Sequence, residues 1–404
     1  MDKSSYVTTQ SIGELKWAAK PALLGRLDME LTERCNNNCQ HCFINLPEGD
    51  KSARSRELTT DEIKKILNEA VSLGCMSVRF TGGEPLLRED FEELYLFARR
   101  IGLKVMLFTN ATLINEHLVG LFLRVPPLEK IEITVYGMHK ESYDLATRTK
   151  GSFEKAWRGI NLLLTHGIPF VVKGAILPSN KDELDEFESW YKTIPWMDKP
   201  AGYSMFFDLR CHKEEDRNEL IRKVRLTPEE GLKILSRDRR VYLEEMKRFC
   251  SKFMHPSGEK LISCGSGVGS GSVNAYGFFQ PCLMLRHPDT LYDLKKGTLE
   301  DALKNFFPKL RELKAKDPAY LSRCARCFLK GLCEQCPAKS WSEYGTMDKP
   351  VDYCCEVAHA QARYMGLLKE GEKAWEVKDW KNRVDDFCGN GHNNQTEERN
   401  GSKH

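Results

Sequence analysis

The sequence predicts an α/β protein, in which a partial (β/α)6 barrel is followed by a small cysteine-rich α+β domain. Two observations lead to this fold class. Strand-like and helix-like segments alternate from about residue 25 to about residue 210, and cysteines crowd the last third of the chain. Regular β-α alternation with short connections implies a parallel sheet, and its reactive loops are expected at the carboxyl ends of the strands. Six such units make a partial barrel rather than a closed eightfold one.

Each unit of the predicted barrel begins with a short strand of alternating or apolar residues. We expect the strands at residues 27–31, 77–80, 104–108, 130–135, 170–177 and 202–209. The helices between them are expected at residues 60–73, 90–101, 115–123, 153–166 and 181–191. Thr60 is the expected N-cap of the first of these helices, because carboxylates follow it in the first turn. Near Gly277, alternating residues around a glycine turn predict a small β-hairpin.

The composition describes a globular chain without a strong charge bias. Its 404 residues are 41% hydrophobic and 29% charged, and the net charge is +3 from 61 basic and 58 acidic side chains. Such a balance implies no bulk attraction to nucleic acid or to a membrane surface. The sequence has no apolar run long enough for a membrane span and no secretory signal, so a cytoplasmic location is expected. In such a chain the 15 cysteines favour metal ligation over disulfides.

Five segments are expected along the chain. They are an N-terminal extension, the barrel, a charged helical linker, the cysteine-rich domain, and a C-terminal helix with a tail that is disordered from Asp385 onward. Their expected ranges are 1–24, 25–210, 211–260, 261–365 and 366–404.

The first cysteine group follows the first predicted strand directly. Cys35, Cys39 and Cys42 are separated by three and by two residues. Four thiolates would complete a tetrahedral zinc site, whereas three in one loop leave one metal position open for a substrate or cofactor. A zinc knuckle completed by a fourth ligand such as His41 is the alternative.

This loop resembles the C-x3-C-x2-C signature of the radical S-adenosylmethionine (AdoMet) enzymes. The resemblance implies that Cys35, Cys39 and Cys42 hold a [4Fe-4S] cluster whose fourth iron binds the amino and carboxylate groups of AdoMet. Reductive cleavage of AdoMet would then give methionine and a 5′-deoxyadenosyl radical. His41 occupies a position where the family usually has an aromatic residue, and we expect it to contact the cofactor.

The end of the second strand also resembles this family. Gly82, Gly83 and Glu84, followed by proline, match the GGEP segment that holds the AdoMet amino group. Two glycines allow a close approach of the backbone to a ligand. Without this context the same residues predict only a turn.

Four further cofactor contacts are implied beyond that segment. Thr109 and Asn110 end the third strand and Thr134 lies near the end of the fourth, where the family places polar groups for the ribose or the amino acid moiety. Relatives more often read Ser-x-Asp-Gly where this chain reads Thr-Val-Tyr-Gly. Arg148 matches the arginine that pairs with the AdoMet carboxylate, a task suited to the planar guanidinium.

The second cysteine group is too dense for ordinary packing. It comprises Cys264 and Cys282, then Cys324, Cys327, Cys333 and Cys336, and finally Cys354 and Cys355. A closed four-thiolate zinc site at Cys324 and its neighbours is one interpretation. The spacing resembles that of the SPASM domain of radical AdoMet peptide and protein maturases, except that two residues instead of three separate Cys333 from Cys336.

The SPASM resemblance implies two auxiliary [4Fe-4S] clusters with interleaved ligands. Cys264, Cys282 and Cys336 are expected to hold the first, and Cys324, Cys327 and Cys333 with Cys354 or Cys355 the second. The first has no evident fourth ligand. Either Cys355, Cys250 or Cys211 completes it, or one iron stays open to a substrate thiolate. Leu283 stands where sulfatase-maturing relatives have an acidic base, so formylglycine formation is not expected, and Cys388 is expected to be incidental.

Together these features predict a maturase that modifies a ribosomally made peptide or protein by hydrogen abstraction, with a thioether cross-link as the leading product. Tetrapyrrole side-chain chemistry is the alternative, followed by a small-molecule dehydrogenase or a protein that only carries clusters. The expected partners are the peptide or protein substrate, a separate leader-peptide-binding protein, and a flavodoxin- or ferredoxin-type reductant. Neither nucleic acid nor a membrane is expected.

Overall fold

The structure is a computed structural model that describes residues 23–212 and 214–389. Its central feature is a run of six parallel strands that pair in chain order. They are β1 (Leu24–Thr32), β2 (Ser77–Gly82), β3 (Lys104–Thr109), β4 (Leu128–Val135), β5 (Phe170–Ala175) and β6 (Gly202–Ser204). The predicted partial barrel is thereby confirmed, although the sixth strand ends at Ser204 rather than at residue 209.

Helices connect these strands as predicted, with two additional helices between strands, one helix after the sixth strand and one corrected cap. The helices are α1 (Lys51–Arg56), α2 (Thr60–Ser72), α3 (Phe91–Arg100), α4 (Glu116–Arg124), α5 (Lys140–Thr147), α6 (Ser152–Thr165), α7 (Leu184–Tyr191) and α8 (Glu215–Val224). Helices α1 and α5 were not expected. The N-cap of α2 is Thr59 rather than Thr60, because Thr59 and Glu62 form a reciprocal capping box.

The predicted hairpin adds three strands to the same sheet. Strands β7 (Gly269–Val273) and β8 (Phe278–Gln280) are antiparallel, and β9 (Tyr292–Asp293) follows β8. Strand β7 also pairs in parallel with β1, so the sheet has nine strands in the order β9-β8-β7-β1-β2-β3-β4-β5-β6. The hairpin therefore extends the barrel sheet, a long-range pairing that alternation within the hairpin does not reveal.

The described chain groups into two compact units. The first comprises the described residues up to Arg225 together with Cys264–Arg311, and it ends in α11 (Leu299–Asp301), a π-helical turn (Ala302–Phe306) and α12 (Phe307–Arg311). The second, formed from the remaining described residues, is helical. Its helices are α9 (Pro228–Leu235), α10 (Arg239–Phe253), α13 (Pro318–Ser322), α14 (Lys330–Cys333), α15 (Pro337–Tyr344), α16 (Asp352–Tyr364) and α17 (Trp380–Cys388).

The structure tests the predicted terminal segments only in part. The expected N-terminal extension lies almost wholly outside the described residues. The tail expected from Asp385 begins inside helix α17, which continues to Cys388, so that part of the prediction is wrong. The remaining segment boundaries stay predictions. Between residues 23 and 389, excluding residue 213, no helix is both long and apolar enough to cross a membrane.

The two faces of the barrel sheet differ in polarity. Along β1, Leu27, Met29 and Leu31 are fully buried on one face, and the intervening residues lie on the other, as the period of two requires. On that inner face Arg79 forms an ion pair with Asp28 and lies 4.7 Å from the centre of the Phe108 ring. Lys173 lies 4.3 Å from the same ring centre and 2.6 Å from Glu132. The inner face therefore presents one aromatic ring between two cations.

A buried charge cluster joins the end of β1 to later segments of the first unit. Glu33 accepts hydrogen bonds from His212 Nε2 at 3.1 Å, Tyr276 Oη at 2.7 Å and Arg286 Nη1 at 2.7 Å. Arg286 also pairs with Glu30. We call these five residues the Glu33 cluster. Burial alone would raise the pKa of Glu33, but the hydrogen bond from His212 and the charge of Arg286 lower it. Hydrogen bonds to Cys211 and Glu33 raise the pKa of His212 to about 10.

The packing of helix α6 against the segment after β3 can be tested by substitution. A Cβ on Gly159 of α6 would lie 2.2 Å from the carbonyl oxygen of Ala111, which is backbone and cannot move aside. We expect Gly159→Ala to lower the free energy of unfolding by about 1–3 kcal/mol, as overpacking does. Gly120→Ala is the matched control, because its Cβ would meet only the mobile end of Arg124, 3.2 Å away. Urea denaturation of both variants checks this, and equal stabilities would contradict the described packing.

The Glu33 cluster predicts a pH dependence. The pKa of His212 is raised in the folded state, so its charged pairing with Glu33 stabilises the fold. This contribution is complete below pH 6.5 and is lost as the pH rises through about 10. The stability difference between the wild type and His212→Gln should therefore shrink steadily across that range. His117→Gln, which removes an exposed pair with Glu92, is the control and should have little effect at any pH. A pH-independent effect of His212→Gln would contradict the charged pairing.

Candidate functional site

The first cysteine group lies at the carboxyl edge of the parallel sheet. Its loop begins directly after β1, where Arg34–Cys35 pairs in parallel with Leu46–Pro47. The backbone N–H groups of Asn38 and Gln40 donate to the carbonyls at the end of α5, at 2.9 and 3.0 Å. These bonds fix the middle of the loop against the neighbouring helix. Cys35, Cys39 and Cys42 all have free thiols.

Burial disfavours a free thiolate at Cys39, whereas backbone N–H groups beside Cys35 and Cys42 can stabilise thiolates that bind a cation. The Asn37 N–H lies 3.4 Å from Cys35 Sγ, and the Asn45 N–H lies 3.4 Å from Cys42 Sγ. Burial, together with the negative charge of Cys42, raises the pKa of Cys39 to about 12, and a hydrogen bond from the Tyr136 hydroxyl opposes this rise. Metal coordination deprotonates such thiols outright, so this donor set fits an iron–sulfur cluster. Within residues 23–212 and 214–389, no three Cys, His, Asp or Glu side chains converge on a single-ion site.

The two glycines at the end of β2 pack against the start of this loop. The Gly83 N–H donates to the Thr32 carbonyl at 2.7 Å, and the Glu84 N–H donates to the Arg34 carbonyl at 2.9 Å. A Cβ on Gly82 would lie 2.0 Å from the Thr32 oxygen, and one on Gly83 would lie 2.2 Å from the Arg34 oxygen. The close approach that requires glycine is thus to protein backbone rather than to a ligand. Contact of this segment with AdoMet stays a prediction.

Three of the predicted cofactor residues form one buried network with the cysteine loop. The Glu84 carboxylate accepts from the Thr109 hydroxyl at 2.9 Å and from the Asn110 N–H at 2.8 Å. The Asn110 side-chain amide donates to Asn36 at 2.9 Å and lies 3.7 Å from Cys35 Sγ. Burial raises the pKa of Glu84 to about 7. The network connects the ends of β2 and β3 to the loop.

The other predicted contacts lie around the rim of the loop. The ring of His41 packs 4.5 Å from the Phe207 ring and 5.5 Å from the Tyr136 ring, centre to centre. Burial lowers the pKa of His41 to about 4, so the ring is neutral and serves as an aromatic surface. Thr134 is half-buried on the inner face of β4.

Two guanidinium groups belong to segments that contact the loop. Arg148 is exposed and ends α5 in the left-handed conformation, with φ of 50°. Arg217 donates to the Asn45 side chain at 2.8 Å, and burial is the main cause of its lowered pKa, to which the positive charges of Arg210 and Arg148 add. The negative charge of Cys42 raises the pKa of Arg217. Such a pair of cations suits a carboxylate. No sequence signal pointed to Arg217, which lies in a charged run far from the loop.

The later cysteines fall into both units. In the first unit Cys264 is exposed and Cys282 is half-buried. Burial raises the pKa of Cys282, whereas the backbone N–H groups of Met284 and Leu285 oppose that rise by donating to its sulfur. Cys336 belongs to the second unit, so the ligand set predicted for the first auxiliary cluster draws on both units and stays a prediction.

The second unit gathers the other predicted thiols. Burial raises the pKa of Cys333 well above its usual value, and the charges of Cys354, Cys355 and Cys327 raise it further. Burial likewise raises the pKa of Cys324 to about 11, with Cys355 adding to the effect. These mutually repelling thiols fit a metal cluster, which would stabilise their charged forms.

The remaining cysteines have other surroundings. Cys250 is 1% exposed within the apolar core of the second unit. Cys388 Sγ lies 3.4 Å from the Lys247 carbonyl. Cys211 lies beside His212 in the first unit and raises its pKa.

The comparison with known proteins points to the same family as the spacing of the cysteine loop. Residues 29–192 match the model of the radical SAM superfamily. The chain is similar to the AdoMet-dependent heme synthase of Methanosarcina barkeri (strain Fusaro / DSM 804), at 26% identity over 350 residues that cover 80% of this chain and 94% of that protein.

Solved structures share the fold. Native anSMEcpe with bound AdoMet aligns with a TM-score of 0.58 and 17% identity, covering 90% of this chain and 99% of that one. Streptococcus suis SuiB bound to its precursor peptide SuiA aligns with a TM-score of 0.58 and 16% identity, covering 85% and 78%. The family match implies one [4Fe-4S] cluster and AdoMet, to which the loop chemistry is suited. Residues 29–192, which carry the cysteine loop, the end of β1 and strands β2 to β5, therefore match a radical SAM domain.

Proposed function

We propose that this enzyme abstracts hydrogen from a side chain of a tetrapyrrole. The observation that carries this proposal is the similarity to the heme synthase, which covers 94% of that protein and extends well beyond the radical SAM domain. It favours the alternative substrate class over the peptide that the SPASM-like cysteine spacing suggested. The cluster and AdoMet, when bound, supply a 5′-deoxyadenosyl radical.

The chain's own residues would prepare the site in three ways. Cys35, Cys39 and Cys42 would hold the cluster, with the N–H groups of Asn37 and Asn45 stabilising the thiolates. The buried network around Glu84 would keep the loop fixed to the sheet. Arg148 and Arg217, at the rim of the loop, would bind the AdoMet carboxylate, while Gly82, Gly83, Glu84, Thr109, Asn110, Thr134 and His41 stay the proposed surroundings of the rest of the cofactor.

The inner face of the sheet offers features that suit a tetrapyrrole. A flat macrocycle would reach the face of the Phe108 ring by displacing one of the two cations that lie over it. Arg79 and Lys173 lie 4.7 and 4.3 Å from the centre of that ring. Both cations are already paired with carboxylates of the protein, Asp28 and Glu132. Carboxylate side chains of a substrate would compete for these pairs, so the charge of the substrate would contribute to its selection.

Peptide modification is the second candidate. It is supported by the fold that this chain shares with SuiB, whose structure was solved with its precursor peptide. It is also supported by the SPASM-like spacing of the later cysteines. In that case a separate leader-peptide-binding protein would present the substrate. Either reaction would take its electrons from a flavodoxin- or ferredoxin-type reductant.

Iron content tests the proposed clusters. With two auxiliary clusters, anaerobically reconstituted protein should contain about 12 irons per chain, against about four if the later cysteines bind zinc. The triple variant Cys35→Ala, Cys39→Ala, Cys42→Ala should lose about four irons and all AdoMet cleavage. Cys388→Ala, which alters a thiol outside the predicted sets, is the control and should lose neither. Undiminished AdoMet cleavage by the triple variant would contradict the proposed site.

Substrate turnover separates the two candidates. Incubation of the reduced holoenzyme with iron coproporphyrin should yield a tetrapyrrole of lower mass and 5′-deoxyadenosine in proportion. Lys173→Met should raise KM for this substrate several-fold with a smaller effect on kcat, because it removes a cation near the Phe108 ring. Lys130→Met, which breaks an exposed pair with Asp198, is the control. An unchanged tetrapyrrole, together with modification of a cysteine-rich peptide, would favour the second candidate.

A further inference from the structure

A fully buried arginine, Arg210, lies against the end of the cysteine loop. Its Nη1 atom donates to the Cys42 carbonyl at 3.1 Å and to the Asn45 side-chain oxygen at 2.9 Å. Its Nη2 atom donates to the Asn45 carbonyl at 2.8 Å. The Asn45 N–H in turn lies 3.4 Å from Cys42 Sγ. Arg210 is therefore bonded both to a predicted cluster ligand and to the residue whose N–H faces the sulfur of that ligand.

The backbone around Arg210 fixes the position of the guanidinium. The Arg210 N–H donates to the side chain of Asn218, on α8, at 2.8 Å. The next N–H, that of Cys211, donates to the Phe43 carbonyl at 3.0 Å. The segment after β6 is thus bonded to α8 on one side and to the end of the cysteine loop on the other.

The surroundings of Arg210 leave its positive charge incompletely balanced. The loop oxygens that accept from it are neutral, and Glu214, the carboxylate that pairs with it, has a side chain that is 42% exposed. A second cation, Arg217, donates to the same Asn45 side-chain oxygen at 2.8 Å. A buried charge is costly unless an opposite charge lies nearby. An anionic cluster bound to the thiolates of the loop would supply that charge.

We propose that the charge of Arg210 raises the reduction potential of the cluster held by Cys35, Cys39 and Cys42. This inference rests on the cluster of the proposed function, but not on the tetrapyrrole. Reduction transfers one electron from the flavodoxin- or ferredoxin-type reductant to the cluster, and no proton is transferred and no bond is made or broken. Because the electron makes the cluster more negative, a fixed buried cation favours the reduced form. Arg210 is a positioning residue, since it reaches the cluster through Cys42.

The test is a redox titration, followed by EPR, of anaerobically reconstituted full-length protein without AdoMet or substrate. The triple alanine variant of the first cysteine group gives the background signal. Arg210→Gln should lower the ratio of reduced to oxidised cluster about tenfold at a fixed potential, which corresponds to about 59 mV for one electron. Arg210→Lys keeps the charge and should restore most of that ratio. Arg222→Gln, which removes an exposed cation of α8, is the matched control and should match the wild type.

Glu214→Gln keeps the test decisive if the Arg210 variants lose their iron. Removing this half-exposed partner leaves the charge of Arg210 less balanced, so the ratio of reduced to oxidised cluster should rise.

Three results would overturn the inference. They are an unchanged potential in iron-replete Arg210→Gln, a potential of Arg210→Lys as low as that of Arg210→Gln, and an unchanged potential in Glu214→Gln. A wild type without a reducible cluster at the first cysteine group would instead overturn the proposed function.

Discussion

The radical SAM site depends on the contact between the end of β2 and the start of the cysteine loop. Because Gly82 and Gly83 have no side chains, the N–H groups of Gly83 and Glu84 can donate to the carbonyls of Thr32 and Arg34. Any Cβ there would enter that backbone and push the loop away from the sheet. A displacement of even an ångström matters in a site whose chemistry requires fixed geometry. The glycines therefore fix the position of the cysteine loop against the sheet.

The carboxylates of Glu84 and Glu33 connect the cysteine loop to two different parts of the first unit. Glu84 receives donors from β3, so that the loop, β2 and β3 share one buried network. Glu33 receives donors from residues after β6 and around β8, which lie far along the chain. Removing one partner of such a buried network costs more than removing an exposed pair, because the remaining charge is left unsatisfied. The cysteine loop is thus held on both sides by carboxylates.

The sequence predicted what depends on local pattern. Alternation located all six parallel strands, and the spacing of Cys35, Cys39 and Cys42 located the loop. The Thr59 cap could also have been found, because Glu62 follows it at capping-box spacing. Two contacts could not have been predicted from the sequence: the pairing of β7 with β1 and the approach of Arg217 to the cysteine loop. Each joins residues that are far apart in the chain, and no local pattern links them. The two glycines were found from their spacing, but their close approach to the backbone of Thr32 and Arg34 was not predicted.

The substrate, like these long-range contacts, does not follow from a local sequence pattern. Cysteine spacing suggested a peptide maturase, whereas similarity along most of the chain favours a tetrapyrrole enzyme. Spacing reports which metal cluster a segment can hold, and one cluster type can serve several substrates. In the proposed function, substrate choice would depend instead on the inner face of the sheet. The Phe108 ring between two paired cations is the feature of that face on which the proposed recognition of a ring and its carboxylates depends.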